Sequence, residues 1–272
     1  MSMSMSMSTS MSMFDTLLLA ESDTIAWDPQ GDPISLVERG IVPLQRANLV
    51  RNDVYAFAMD DPRSQPFAML RSRVLRHIGN TQAQLIAVTS AKPREGKSFV
   101  ALNLAAALSH IHPTWLIDAD LRNPSIARRL GFTPLHGIDT FLHGDDAIVP
   151  LRCRLDTDLL TVIAIHEAQA DSAKLLASPR AGKAFATLRT LAAGAVCMID
   201  TPPVLEGDDL MILAQHVDAV LLVVEEGRTL HADLRESLRI LSPTPVLGTV
   251  LNRTLLPVRA QYYGQYPYRS AP

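Results

Sequence analysis

From residue 85 onward, short unbroken apolar runs alternate with segments whose apolar positions recur every three or four residues. The runs Leu85–Thr89, Thr114–Ile117, Leu159–Ile163, Val196–Ile199, Ala219–Val224 and Val246–Leu251 read as strands. Between them, Ser98–Ser109, Ser125–Leu130, Ala173–Leu176, Arg180–Ala192, Asp208–Gln215 and Leu230–Ile240 read as helices. Strands that are apolar on both sides and separated by helices predict a mostly parallel sheet covered on both faces, a three-layer α/β/α fold. Ligands of such sheets bind outside the carboxyl ends of the strands.

Upstream, a helical pattern spans Ser64–Ile78. Phe67, Leu70, Val74, Leu75 and Ile78 fall on one face, with Arg71, Arg73 and Arg76 elsewhere. Residues 14–60 mix short apolar runs with Pro, Asp and Gly and predict one short helix, Ile34–Arg39. Residues 1–13 alternate Met and Ser with no burial pattern. Residues 1–60 are therefore expected to be a flexible arm before a domain over 61–257, with a tail over 258–272. There is no internal repeat.

At 272 residues the chain can bury a full core. Its net charge of −3 gives no broad basic field, so nucleic acid is not an expected partner. Uncharged apolar stretches such as Leu191–Ile199 fall far short of the ~20 residues of a membrane-spanning helix. Cys153 and Cys197 form neither a disulfide framework nor a metal quartet, and Cys197 reads as a small buried hydrophobe. No basic region leads into an apolar core at the N-terminus, so a cytoplasmic setting is expected. His110, His112, His136, His143 and His166 lack metal-site spacing, and Glu225-Glu226 reads as a solvated strand end.

The first strand leads into Ser90-Ala91-Lys92-Pro93-Arg94-Glu95-Gly96-Lys97-Ser98-Phe99 and an alanine-rich helix. This is a phosphate loop with departures. Such loops wrap backbone N–H groups around phosphates at a helix N-terminus. Gly96 permits close backbone approach, Lys97 would reach the β- and γ-phosphates, and Ser98 would ligate Mg²⁺. Ala91 stands where the first glycine is usual, and Arg94 where many such loops have another. A GKS triplet arises by chance, but here strand, helix and acidic motifs accompany it. If the backbone at Arg94 needs a positive φ, arginine is strained there; if not, its guanidinium could contact phosphate.

Two strands end in carboxylates. Trp115-Leu116-Ile117-Asp118-Ala119-Asp120 closes one, and Val196-Cys197-Met198-Ile199-Asp200-Thr201-Pro202-Pro203 another. A carboxylate at such a position beside a phosphate loop supports Mg²⁺, which takes oxygen ligands and keeps waters. Each aspartate alone could equally cap a helix or start a turn.

Together these motifs resemble those of bacterial tyrosine kinases, the P-loop type that governs capsule and exopolysaccharide export. AVTSAKPREGKS, LIDADLRNPS, VCMIDTPPVL and the tyrosine-rich tail carry the resemblance, over roughly residues 64–268. KLLASPRAGKAFATLR and VDAVLLVVEEGRT look like the cytoplasmic form associated with exosortase-type polysaccharide clusters. The resemblance implies ATP and Mg²⁺ as cofactors and autophosphorylation of tail tyrosines between subunits of a ring or dimer. Carried over by motif, Lys97 and Ser98 bind phosphate and metal within a loop that runs from Lys92 to Phe99. Asp118 and Asp120 lie near the metal, one accepting the tyrosyl proton, and Asp200 supports the metal. Asn252 resembles an adenine contact of the wider P-loop group.

Four of the five tyrosines, Tyr262, Tyr263, Tyr266 and Tyr268, lie in the last eleven residues and are the expected phosphoacceptors. The resemblance also implies a separate membrane partner, a polysaccharide co-polymerase whose cytoplasmic tail activates the kinase at the inner membrane face. One departure concerns the helix before the first strand. Of the family's Glu-x-x-Arg-x-x-Arg pattern only Arg71 fits, so that helix could serve either subunit packing or simple packing on the sheet. Lys92 occupies the place of a signature lysine of partitioning and division-site ATPases, which keeps an ATP-dependent switch as the alternative. A non-catalytic ATP-binding adaptor of an export complex is the third.

Overall fold

In a computed structural model, residues 24–27, 33–36, 41–78, 84–145, 147–155 and 158–254 of the chain are described. The strands are β1 (Thr24–Trp27), β2 (Pro33–Leu36), β3 (Ile41–Pro43), β4 (Gln84–Ser90), β5 (Thr114–Asp118) and β6 (Ala147–Ile148), followed by β7 (Leu151–Leu155), β8 (Asp158–Ile163), β9 (Val196–Asp200), β10 (Ala219–Glu225) and β11 (Val246–Asn252). The helices are α1 (Arg46–Arg51), α2 (Gln65–Leu75), α3 (Lys97–Ser109), α4 (Ile126–Leu130), α5 (Ile138–His143), α6 (Ser172–Leu176), α7 (Pro179–Leu191), α8 (Asp209–Leu213) and α9 (His231–Leu241). The main sheet has eight strands in the order β11-β10-β4-β9-β5-β8-β7-β3. Its described pairs are parallel except β7 with β8. A small second sheet runs β1-β2-β6.

Side-chain alternation divides the interior in two. Leu85, Ala87, Ile117, Cys197, Ile199, Val220 and Leu222 point to one face, with Phe141, Leu176, Phe185, Leu210 and Leu241 of α5 to α9. Ile86, Val88, Leu116, Val196, Met198, Leu221 and Val223 point to the other, with Leu49, Phe67, Val74, Leu102 and Leu130 of α1 to α4. The period-two exchange of faces is why these strands read as continuous apolar runs. Each of the six expected strands is present, and five (Leu85–Thr89, Thr114–Ile117, Val196–Ile199, Ala219–Val224 and Val246–Leu251) run one residue further, onto Ser90, Asp118, Asp200, Glu225 and Asn252. Those added residues are polar because the strand ends emerge at the ligand edge.

Helix α3 is apolar nearly all round, and eleven of its residues are buried. A helix of that kind must be covered on every side. The sheet lies below it, and the segment 53–57 and α2 lie above. Phe67 of α2 meets Phe99 edge-on, with ring centres 5.5 Å apart. Fully buried Asn103 accepts hydrogen bonds from the Tyr55 and Ala56 N–H groups at 2.8 and 3.1 Å. Its amide donates to the Asp53 and Phe99 carbonyls at 2.9 and 3.0 Å.

This corrects part of the sequence reading. Residues 41–60 are not a loose arm: β3 pairs with β7, and Leu49, Val54, Ala56 and Phe57 are core residues. Their apolar positions serve an irregular outer layer, which has no helical or strand period to reveal it. Where a helix was expected over Ile34–Arg39, the chain forms β2 instead, paired with β1 and β6. α1, α5, β1, β3, β6 and β7 were missed, being short or mixed in polarity. Helix Asp208–Gln215 shortens to α8 followed by a 3₁₀ turn. Both cysteines are buried, and burial pushes their thiols up to about 12. The tail tyrosines lie outside the described residues.

Asn103→Ala removes the bracket that ties residues 53–56 to α3 and strands several buried backbone groups. The expected loss of stability is about 2 kcal/mol or more, at ~1–3 kcal/mol for each buried group left unpaired. Urea unfolding followed by circular dichroism measures it, and an unchanged midpoint would mean that this segment is not part of the folded core.

Candidate phosphate-loop site

The loop after β4 takes two positive-φ residues in three. Gly96 sits at φ 99° and Arg94 at φ 67°. The positive φ at Gly96 disfavours any side chain, and a Cβ there would stand 2.0 Å from the Asn252 amide nitrogen and displace it. Arg94 is in the left-handed region, at a cost of about 1–2 kcal/mol for a residue with a side chain. That resolves the alternative at this position in favour of strain, with the guanidinium exposed.

The loop is held from outside. The Asn252 amide donates to the Glu95 carbonyl at 2.9 Å, and Arg253 Nη1 donates to the Arg94 carbonyl at 3.0 Å. Arg228 reaches the Pro93 and Arg94 carbonyls at 3.4 Å each. The Ser90 hydroxyl donates to the Lys92 carbonyl at 2.7 Å. The buried Glu95 carboxylate accepts from the Thr229 hydroxyl at 2.6 Å and the Lys92 N–H at 3.0 Å. Lys92 Nζ pairs with Asp233 of α9 at 2.6 Å within its own chain. Phe99 turns toward α2 rather than into the loop.

Just inside, Lys97 meets two carboxylates, with a third, Asp118, acting on it from further away. Its Nζ lies 2.6 Å from Asp120 Oδ2, 3.8 Å from Asp200 Oδ1 and 3.4 Å from the Ser98 hydroxyl. Burial works against the lysine's charge, but Asp200, Asp120 and Asp118 outweigh it and hold its pKa above the ordinary value. Asp118 and Asp200 are register partners on adjacent parallel strands, which sets them side by side. Asp118 accepts from the Ser125 and Ile126 N–H groups, each at 3.0 Å, and from Asp120 N–H at 3.3 Å. It therefore anchors the start of α4. Burial first, and then Asp200, raise its pKa well above the carboxylate range. Asp120 also accepts from Asn123 N–H at 3.1 Å.

Asp200 is fully buried, and neither oxygen has a well-formed hydrogen bond; Ser98 and Lys97, whose Nζ is 3.8 Å away, are its neighbouring donors. Its pKa is raised, chiefly by burial, with the Lys97 charge pulling the other way. Oxygens with this unspent acceptor capacity beside a serine hydroxyl fit a hard cation. Among the described residues no three His, Cys, Asp or Glu form a ready protein-only cage. Mg²⁺ needs none, since it is held by one or two protein oxygens plus phosphate and water. The arrangement suits an anion on the loop with a cation at its edge.

The structure thus gathers Lys92 to Ser98, Asp118, Asp120, Asp200 and Asn252 around one edge of the sheet. Sequence reasoning missed Glu225, Arg228, Thr229, Asp233 and Arg253, which support the loop. Their available signal was position, because they flank the carboxyl ends of β10 and β11, the strands at one side of β4. Arg122, from the same motif as Asp120, binds buried Asp209 at 2.9 Å and the Ser172 hydroxyl at 2.7 Å. Arg71 donates to the Ala107 carbonyl at 2.9 Å, so it contributes to packing α2 on α3.

The ParA family model, described as NUBPL iron-transfer P-loop NTPase, matches residues 81–259. The chain is similar to the putative tyrosine-protein kinase EpsB of Ralstonia nicotianae, 31% identical over 217 residues. That match spans 77% of this chain and 28% of the relative. The succinoglycan biosynthesis transport protein ExoP of Rhizobium meliloti is 31% identical over 225 residues, 78% of this chain and 27% of ExoP. The chain therefore spans under a third of the length of these two curated relatives. Among solved structures, the VpsO kinase domain is 32% identical with a TM-score of 0.62, over 71% of this chain and 96% of that domain.

Asp200→Asn removes a fully buried carboxylate whose desolvation outweighs the help it gets from Lys97. We expect it to stabilise the metal-free chain by about 1–2 kcal/mol, in the manner of strained functional groups. The same change is expected to weaken Mg²⁺-dependent nucleotide binding at least tenfold. Thermal unfolding in EDTA and titration with a fluorescent ATP analogue, with and without Mg²⁺, test the pair of effects. A loss of both stability and binding would mark Asp200 as structural instead.

Proposed function

The chain belongs to the ParA-type P-loop NTPases and, among them, to the bacterial tyrosine kinases, and from that premise we propose that it transfers the γ-phosphoryl group of ATP to tyrosine. The observation that carries this reading is the Lys97–Asp120 pair at 2.6 Å, with Asp200 beside it, at the mouth of the phosphate loop. Phosphoryl transfer needs positioning and charge neutralisation more than covalent chemistry.

Without nucleotide, Lys97 neutralises Asp120. When the β- and γ-phosphates enter the loop, Lys97 turns to them and Asp120 is freed to accept a proton. The tyrosyl oxygen, with an unperturbed pKa of about 10, then attacks the γ-phosphorus as its proton passes to Asp120. The bond to the β–γ bridging oxygen breaks, and ADP leaves. Asp120, with one backbone N–H donor, suits the role of base better than Asp118, which accepts from three. Ser98 and Asp200 would hold Mg²⁺, with Asp118 behind them; when bound, the ion supplies charge neutralisation at the phosphates. Asn252 lies close enough to the loop to meet an adenine base as well.

Tyr262, Tyr263, Tyr266 and Tyr268 are the proposed acceptors, presented to the site of a second copy in a ring or dimer. Each phosphate adds about −1.5 to −2 charge at pH 7, and the accumulated repulsion loosens the assembly. A membrane-bound polysaccharide co-polymerase, acting through its cytoplasmic tail, is the proposed partner, and polysaccharide export the regulated process. The similarity to ExoP, a succinoglycan biosynthesis transport protein, supports that setting. No helix among the described residues is long and apolar enough to cross a membrane.

Incubation with γ-labelled ATP and Mg²⁺, followed by phosphosite mapping, tests the proposal. Label is expected on Tyr262–Tyr268, and its loss in Lys97→Met and in a variant ending at Arg259. Nucleotide binding without label under any condition, including with a candidate partner tail, would leave an ATP-dependent switch or adaptor in its place.

A further inference from the structure

We infer that Arg253 and Arg228, oriented by Glu225, are positioning residues that hold the phosphate loop in its left-handed bend at Arg94 and so aim its N–H groups at the nucleotide. The inference rests on the nucleotide-binding part of the proposed function. Glu225, the last residue of β10, accepts from Arg253 Nη1 at 2.9 Å on one oxygen and from Arg228 Nη1 at 3.3 Å on the other. Both guanidiniums then donate to loop carbonyls: Arg253 to Arg94, and Arg228 to Pro93 and Arg94. Arg253, at 3.0 Å, makes the stronger contact, since Arg228's bonds at 3.4 Å are long.

Peptide geometry converts this grip into a function. The described chain has no cis peptide bonds, so each carbonyl points opposite to the N–H of the next residue. The carbonyls of Pro93, Arg94 and Glu95 are drawn outward by Arg228, Arg253 and Asn252. The N–H groups of Arg94, Glu95 and Gly96 therefore face the other way, into the cradle. A glycine at 94 would adopt φ 67° unaided, whereas arginine resists it and must be held. The arginine at 94 and the clamp from β10 and β11 are thus two halves of one arrangement. Arg253 also stands two residues before the undescribed stretch that carries the tail tyrosines.

A double-mutant cycle on the full chain tests this, with dissociation of a fluorescent ATP analogue in Mg²⁺ as the readout. Arg253→Ala is expected to weaken binding about tenfold, in the range for a hydrogen bond from a charged group. In the Arg94→Gly background the same substitution is expected to change binding by no more than about twofold, because glycine holds the bend itself. Glu225→Gln should follow the same pattern more weakly, and it serves if Arg253→Ala lowers the melting temperature. Equal losses in both backgrounds would overturn the inference and place Arg253 on the nucleotide itself. No loss in either would overturn it too. A wild-type chain that bound no nucleotide would overturn the proposed function together with the clamp, whereas binding with parallel losses would overturn the clamp alone.

Discussion

Three buried carboxylates confront one buried lysine at the carboxyl edge of the sheet, and the site is arranged around that imbalance. Parallel pairing of β5 with β9 sets Asp118 opposite Asp200. Lys97, from the first turn of α3, answers them both through space and through its contact with Asp120. Charges taken out of water are costly unless paired and hydrogen-bonded. Asp118 and Asp120 find backbone N–H partners, while Asp200 finds none. The three carboxylates therefore exceed the positive charge beside them, and a cation at Asp200 would offset the excess. A cation bound there is expected to stabilise the fold by linkage.

The rest of the fold keeps that imbalance in place. Lys97 and Ser98 occupy the first turn of α3, whose alanines let the sheet and the outer segment approach it closely from both sides. Asn103 locks the outer segment to the helix through four hydrogen bonds. On the opposite side of the loop, β10 and β11 end in Glu225 and Asn252, whose side chains support the loop, Glu225 through Arg253 and Asn252 through the Glu95 carbonyl. The phosphate loop is thus gripped by packing beneath its helix and by hydrogen bonds on its outer rim. Arg94 makes the second grip necessary, because its backbone is one that arginine does not choose.

The six main strands, the principal helices and the three acidic positions were legible in the sequence, and each for a local reason. A strand buried on both faces must be apolar throughout, and its polar successor must mark the ligand edge. Gly96 was legible because close approach leaves no room for a Cβ. The outer layer over residues 41–60 was not, since Leu49, Val54 and Phe57 follow no period and their partners lie far along the chain. The helix expected over Ile34–Arg39 failed for a related reason: four residues of mixed pattern take the structure that their neighbours β1 and β6 offer.

By itself the sequence determined the layers, the phosphate loop and which strand ends carry carboxylates, because periodicity and short motifs are local properties. Tertiary structure alone decided how those carboxylates divide their work. Asp118 anchors α4, Asp120 holds Lys97, and Asp200 is left open, because strand register and helix docking assign their neighbours. It also decided that Arg94 is bent left-handed and that Glu225, Arg228 and Arg253 hold it there. Those residues lie about 130 to 160 positions from the loop, and only the strand order that sets β10 beside β4 and β11 beyond it brings them together.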